Sequence, residues 1–102
     1  MKFSVNREEL LKPLQAVTSV VERRQTLPVL ANVLVRADES GIELTGTDLE
    51  VEMVARVAMA VENPGEATIP ARKLMDIWRA LPDNAQVTVT VEGDRAVIKS
   101  GR

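Results

Sequence analysis

The 102-residue sequence predicts an α+β domain in which two helices pack on one face of antiparallel sheet. Two observations carry this. Segments with period-two hydrophobic alternation are joined by tight turns, the mark of antiparallel strands with one wet face. The order strand, helix, three strands then begins again after residue 66 and runs strand, helix, two strands. "FSVNREELLKPL" and "ATIPARKLMDIW" hold the same place in each half, a repeat of pattern with weak identity. By that pattern the second half is one strand short.

A strand over residues 2–5 places Phe3 and Val5 on one face. Asn6 then caps a helix, with Glu9 in the capping-box position and Val5 set to staple onto Leu10. Leu10, Leu14, Val17 and Val21 recur at helical spacing, widened by Leu11 and Val20. Pro13 removes one hydrogen bond and predicts a local bend. The helix should end near Arg23 and Arg24, ahead of Pro28.

Strands are expected over 29–37, 41–45 and 49–61. Residues 38–41 form the first hairpin turn, and Gly46 offers positive φ for a second turn at Thr-Gly-Thr-Asp. Leu49, Val51, Met53, Ala55 and Val57 share one parity of the third strand, with Glu50, Glu52 and Arg56 on the other. Residues 62–65 make a surface loop. A short strand over 67–69 leads into Pro70, whose fixed φ suits the start of a helix. Leu74, Ile77, Trp78 and Leu81 form that helix's apolar stripe, and Pro82 stops it. Strands over 86–92 and 95–100, turned by Gly93 and Asp94, complete the chain.

Composition narrows function by exclusion. There is no cysteine and no histidine, so thiolate chemistry, the commonest general base and the commonest zinc ligand are absent. No segment resembles a signal peptide or reaches the roughly 18 apolar residues of a membrane span, so a cytoplasmic domain without cofactor is expected. Asp48, Glu50 and Glu52 are better read as a solvated strand face than as a carboxylate pair or metal site, because no base or pocket motif accompanies them.

Charge is unevenly spread. Residues 1–35 and 67–102 each carry a net +2, while residues 36–66 carry −6. Asp38, Glu39, Glu43, Glu50 and Glu52 fall on predicted strands and turns, and Arg7, Lys12, Arg72, Lys73 and Arg79 on helices. Arg72 and Arg79 are two helical turns apart and project from one side, with Asp76 between them at ion-pairing distance in sequence. The alternatives are an intrahelical ion pair and a phosphate-facing surface. A single Phe and a single Trp, with no Tyr, argue against a base-stacking platform.

The segments "MKFSVNREELLKPLQAV", "TLPVLANVLV", "LTGTDLEVEMVARV", "IPARKLMDIWRALP" and the terminal "SGR" together resemble the first domain of the bacterial replication sliding clamps, the β subunits of DNA polymerase III. The resemblance runs the length of the chain. It implies a ring-shaped, head-to-tail homodimer with three such domains per subunit, helices lining a channel around double-stranded DNA and sheets forming the outer wall. It implies no catalysis: the ring tethers DNA polymerase III for processive synthesis, with the polymerase and a clamp loader as partners. By motif, Arg24 and Arg72 correspond to DNA-contacting arginines, with Lys12, Arg79 and Arg7 as neighbouring channel residues. Lys73 falls near the subunit interface. Family members continue past "SGR" with another strand and two more domains, so residues 1–102 are expected to be a first domain cut short at its C-terminal end. The partner-peptide pocket, which in the family lies between the second and third domains, is then absent. The competing reading is a stand-alone interaction module pairing through a sheet edge.

Overall fold

The structure is a computed structural model and describes residues 1–21, 32–47, 51–93 and 95–100. Seven strands and two helices follow in the order β1 (Lys2–Asn6), α1 (Arg7–Val21), β2 (Asn32–Asp38), β3 (Gly41–Thr47), β4 (Glu52–Ala58), β5 (Gly65–Pro70), α2 (Ala71–Ala80), β6 (Gln86–Glu92) and β7 (Arg95–Ser100).

The strands form two antiparallel sheets, one ordered β1-β6-β7 and the other β4-β3-β2-β5. The strand preceding each helix crosses to the other half. Thus β1 pairs with β6, with Phe3 opposite Val89, and β5 pairs with β2, with Ile69 opposite Val33. Matching β1 to β5, β2 to β6 and β3 to β7 gives both sheets the same strand order. The repeat in the sequence is therefore a repeat in topology, and β4 has no counterpart among the described residues.

Both sheets and both helices share one core. Phe3, Val5, Val87 and Val89 enter it from the smaller sheet, and Val33, Val35, Ile42 and Leu44 from the larger. Leu10, Leu14, Val17 and Val21 of α1 meet Leu74, Met75 and Trp78 of α2 there. Alternate burial along β2 and β6 is the direct result of alternating side-chain direction on a pleated strand.

The first helix starts as its sequence requires. The Asn6 N–H donates to Glu9 Oε1 at 3.1 Å, and the Glu8 N–H donates to Asn6 Oδ1 at 3.0 Å, so two N-terminal donors gain acceptors. Pro13 lies inside α1. The expected helix end at Arg23 and Arg24 falls outside the described residues, as do the start of the second strand at 29–31 and the Asp94 half of the last turn.

Three expectations are corrected. Gly46 makes no turn: it lies within β3, opposite Met53 of β4, and its φ is not positive. The pairing of β3 with β4 instead runs through Thr47 and Glu52. Ile77 does not join the apolar stripe of α2; it is exposed, and Met75 takes the buried place. A ten-residue helix packed on one side buries a single arc, and 71, 74, 75 and 78 fill it. Strand β4 stops at Ala58, and the chain beyond it crosses to β1, where the Lys2 N–H donates to the Asn63 carbonyl at 3.0 Å.

Candidate nucleic-acid interface

The cations of the described residues sort into two groups. Lys2, Arg7, Arg36 and Arg56 each lie within 4.0 Å of a carboxylate oxygen. Lys12, Arg72, Lys73 and Arg79 are exposed on the two helices and, among the described residues, form no ion pair. Arg95 and Lys99, on β7, are also exposed and, among the described residues, form no ion pair.

Local structure explains why the helical cations stay free. Glu8 and Glu9 stand at helical spacing from Lys12, yet both face elsewhere. Glu8 accepts the Asn84 N–H at 2.8 Å and the Arg7 guanidinium at 2.6 Å, and Glu9 accepts the Asn6 N–H. Partial desolvation works to raise the Glu8 carboxyl, but the Asn84 N–H and Arg7 outweigh it and hold Glu8 below the ordinary range. Asp76 forms no ion pair with Arg72 or Arg79 despite its spacing, so the intrahelical pair allowed by the sequence is not made. The two arginines flank Met75 at i−3 and i+4. Met75 receives the Thr18 hydroxyl of α1 at 3.7 Å, so Arg72 and Arg79 border the seam between the helices.

Arg7 behaves differently. Its side chain is only 11% exposed. Nε donates to the Trp78 carbonyl at 3.0 Å, Nη2 to the Arg79 carbonyl at 3.5 Å, and Nη1 to Glu8 and, at 3.4 Å, Asp83. A cation at the first position of a helix opposes that helix's macrodipole, and this is the one sequence signal of another role: Arg7 serves the C-terminal end of α2. Arg24 lies outside the described residues. Lys73 lies on α2, one turn before the exposed Ile77.

The outward sheet faces are not uniformly acidic, contrary to expectation. In the larger sheet Arg56, Glu43, Arg36 and Glu66 stand opposite one another on β4, β3, β2 and β5. Distances of 3.1, 3.5 and 3.4 Å join them into a row of alternating charge. The register that produces this row is invisible in the sequence. On the smaller sheet the outward face carries Lys2, Arg95 and Lys99, with Glu92 opposite Arg95. Glu52 is exposed on β4, whereas Asp48 and Glu50 lie outside the described residues. Among the described residues no three His, Cys, Asp or Glu side chains group to hold a metal ion, and no helix is long and apolar enough to cross a membrane.

Residues 1–102 match the model of the DNA polymerase III beta subunit, N-terminal domain. A Pseudomonas aeruginosa protein named "Beta sliding clamp" is 54% identical over 103 aligned residues, which cover all of this chain and 28% of that protein. The protein of the same name from Escherichia coli K12 is 52% identical with the same coverage. The crystal structure of the DNA polymerase III subunit beta from Pseudomonas aeruginosa superposes with a TM-score of 0.93 at 53% identity, over 100% of this chain and 28% of the other. The chain thus spans 28% of the length of these relatives.

Proposed function

The chain belongs to the DNA polymerase III beta subunit family, matching its N-terminal domain, and from that premise we propose that it is one domain of a ring that encircles duplex DNA and tethers the replicative polymerase. The observation that carries this reading is the sorting of cations. Among the described residues Lys12, Arg72, Lys73 and Arg79 are exposed and unpaired on the helices, while Arg36 and Arg56 of the larger sheet are tied to carboxylates and only Arg95 and Lys99, on the smaller sheet, are unpaired outside the helices. A surface that meets phosphates needs free, hydrated cations and no base-edge readout. Backbone contacts then give affinity without register, so the ring can slide.

In this reading Arg72, Arg79 and Lys12 face the DNA, with Arg24 beside them by family correspondence. Lys73 lies toward the neighbouring subunit of a head-to-tail homodimer. The domain performs no chemistry and needs no cofactor. Its further partners are the polymerase and the loader that opens the ring, engaged through parts of the longer protein.

The test is the salt dependence of duplex binding by the full-length clamp carrying this domain. Arg72→Ala and Arg79→Ala should each weaken binding for every DNA sequence alike and each lower the magnitude of the log–log salt slope by about 0.9. Unchanged affinity, or a loss that depends on base sequence, would refute the proposal.

A further inference from the structure

Arg7 and Trp78 are bonded in both directions. Arg7 Nε donates to the Trp78 carbonyl at 3.0 Å, and the Trp78 indole Nε1 donates to the Arg7 carbonyl at 2.9 Å. Around this pair the start of α1 is also joined to the loop that leads from α2 into β6. The Arg7 N–H donates to the Ala85 carbonyl at 2.8 Å, Glu8 accepts the Asn84 N–H, and Asn6 Nδ2 donates to the Asn84 carbonyl at 3.3 Å. Trp78 is fully buried, and Asn84 turns the chain with a φ of 60°.

Each half of this junction answers a separate need. The last carbonyls of a helix have no intrahelical donors, and here the Arg7 guanidinium and the Leu81 N–H supply them at Trp78. The cation also stands at the negative end of the α2 macrodipole, which offsets its unfavourable place at the positive end of α1. A buried indole N–H needs an acceptor, and the Arg7 carbonyl provides it. The guanidinium reaches two carbonyls and two carboxylates from one plane, which an ammonium cannot reproduce.

We infer that Arg7 is a positioning residue: together with Trp78 it clasps the end of α2 to the start of α1 and so fixes where Arg79 and Arg72 stand relative to Lys12. The inference rests on the nucleic-acid reading of the helices. It assigns Arg7 no phosphate contact, although its charge and its place on a helix would suggest one. The backbone of Arg79 itself is gripped through its carbonyl, so loss of the clasp frees the turn that carries a DNA-facing side chain.

Arg7→Lys in the full-length clamp keeps the charge and removes the planar fork. Measured well below the thermal midpoint, it should weaken duplex binding by about threefold to tenfold with the salt slope unchanged. In an Arg72→Ala, Arg79→Ala background the same change should cost nothing further, since there is no side chain left to position. Amide exchange across residues 78–85 should quicken in Arg7→Lys. Normal binding by Arg7→Lys, or a loss that adds fully in the double-variant background, would overturn the inference. So would an Arg7→Ala variant whose salt slope drops by about one, which marks a direct phosphate contact. The two readings fail separately. If the Arg72→Ala, Arg79→Ala pair binds DNA normally, the nucleic-acid reading falls. If that pair binds weakly while Arg7→Lys binds normally, only the positioning role falls.

Discussion

Gly46 of β3 lies directly beneath Val17 of α1: a Cβ at position 46 would stand 2.7 Å from Val17 Cγ1 and 2.8 Å from its carbonyl oxygen. The glycine is there for close approach of helix to sheet, since a longer separation would leave a gap under the buried α1 stripe. Gly46→Ala should therefore cost about 1–3 kcal/mol, the range for overpacking, and Val17→Ala should rescue it only in part because the carbonyl clash remains. Urea unfolding measures both. Gly93→Ala is the control, because nothing lies within 4 Å there and only its φ of 58° opposes a side chain. A Gly46→Ala cost no greater than that of Gly93→Ala would contradict the packing account.

The same glycine shows where sequence reading stops. Local rules place β6, β7 and the Asn6–Glu9 capping box, because alternation and caps depend on neighbours within four residues. "TGTD" carries the composition of a turn, and only the packing of α1 on β3 shows why Gly46 is needed in a strand. The candidate site divides likewise. That cations lie on the helices is readable from residue positions. That Arg7 is tied down while Arg72 is free depends on the Trp78 and Asp83 partners, more than 70 residues away in sequence. The row from Arg56 to Glu66 depends on the registers of three strand pairs.

Glu43 sits between two arginines in that row and is the least exposed of its four members, 23% against 55%, 58% and 64%. Removing its charge leaves Arg36 and Arg56 without their shared partner. Glu43→Gln should destabilise the domain by about 0.5–1 kcal/mol, and the loss should shrink in high salt. Glu52→Gln, exposed at the end of β4, should change stability by less than about 0.5 kcal/mol. Equal effects of the two substitutions in a thermal or urea titration would show that the row adds nothing.

Two carboxylates make stability depend on acid. The Ser40 hydroxyl and N–H, at 2.7 and 2.8 Å, hold Asp38 below the ordinary range, and Glu8 is held low by Asn84 and Arg7 against partial desolvation. A group whose folded pKa is depressed adds stability above its unfolded pKa and loses it as pH falls through the folded value. Stability should thus be level from neutral pH down to the carboxylate range and then decline. In Glu8→Gln that decline should be shallower, because one titrating group has been removed. An unaltered acid limb in Glu8→Gln, followed by urea unfolding at successive pH values, would remove Glu8 from the explanation.

Strand β7 borders the smaller sheet. Its register with β6 pairs Val87 with Ser100 through Glu92 with Arg95, and among the described residues no strand pairs with its other side. The topological repeat sets β7 in the place of β3, whose second neighbour is β4. We propose that in the longer clamp a further strand occupies that place. Among the described residues alternate amides of 95–100 then face outward without a strand partner, while β3 and β6 are paired on both sides. Amide exchange should be fast at those alternate positions and slow through 42–46 and 87–91. In the full-length clamp the fast positions should become protected. Edge strand β4 supplies an internal reference, since among the described residues it too is paired on one side alone. If 95–100 is as protected as β3 in a sample shown by light scattering to be monomeric, the edge is already covered, and the proposal of an added strand fails.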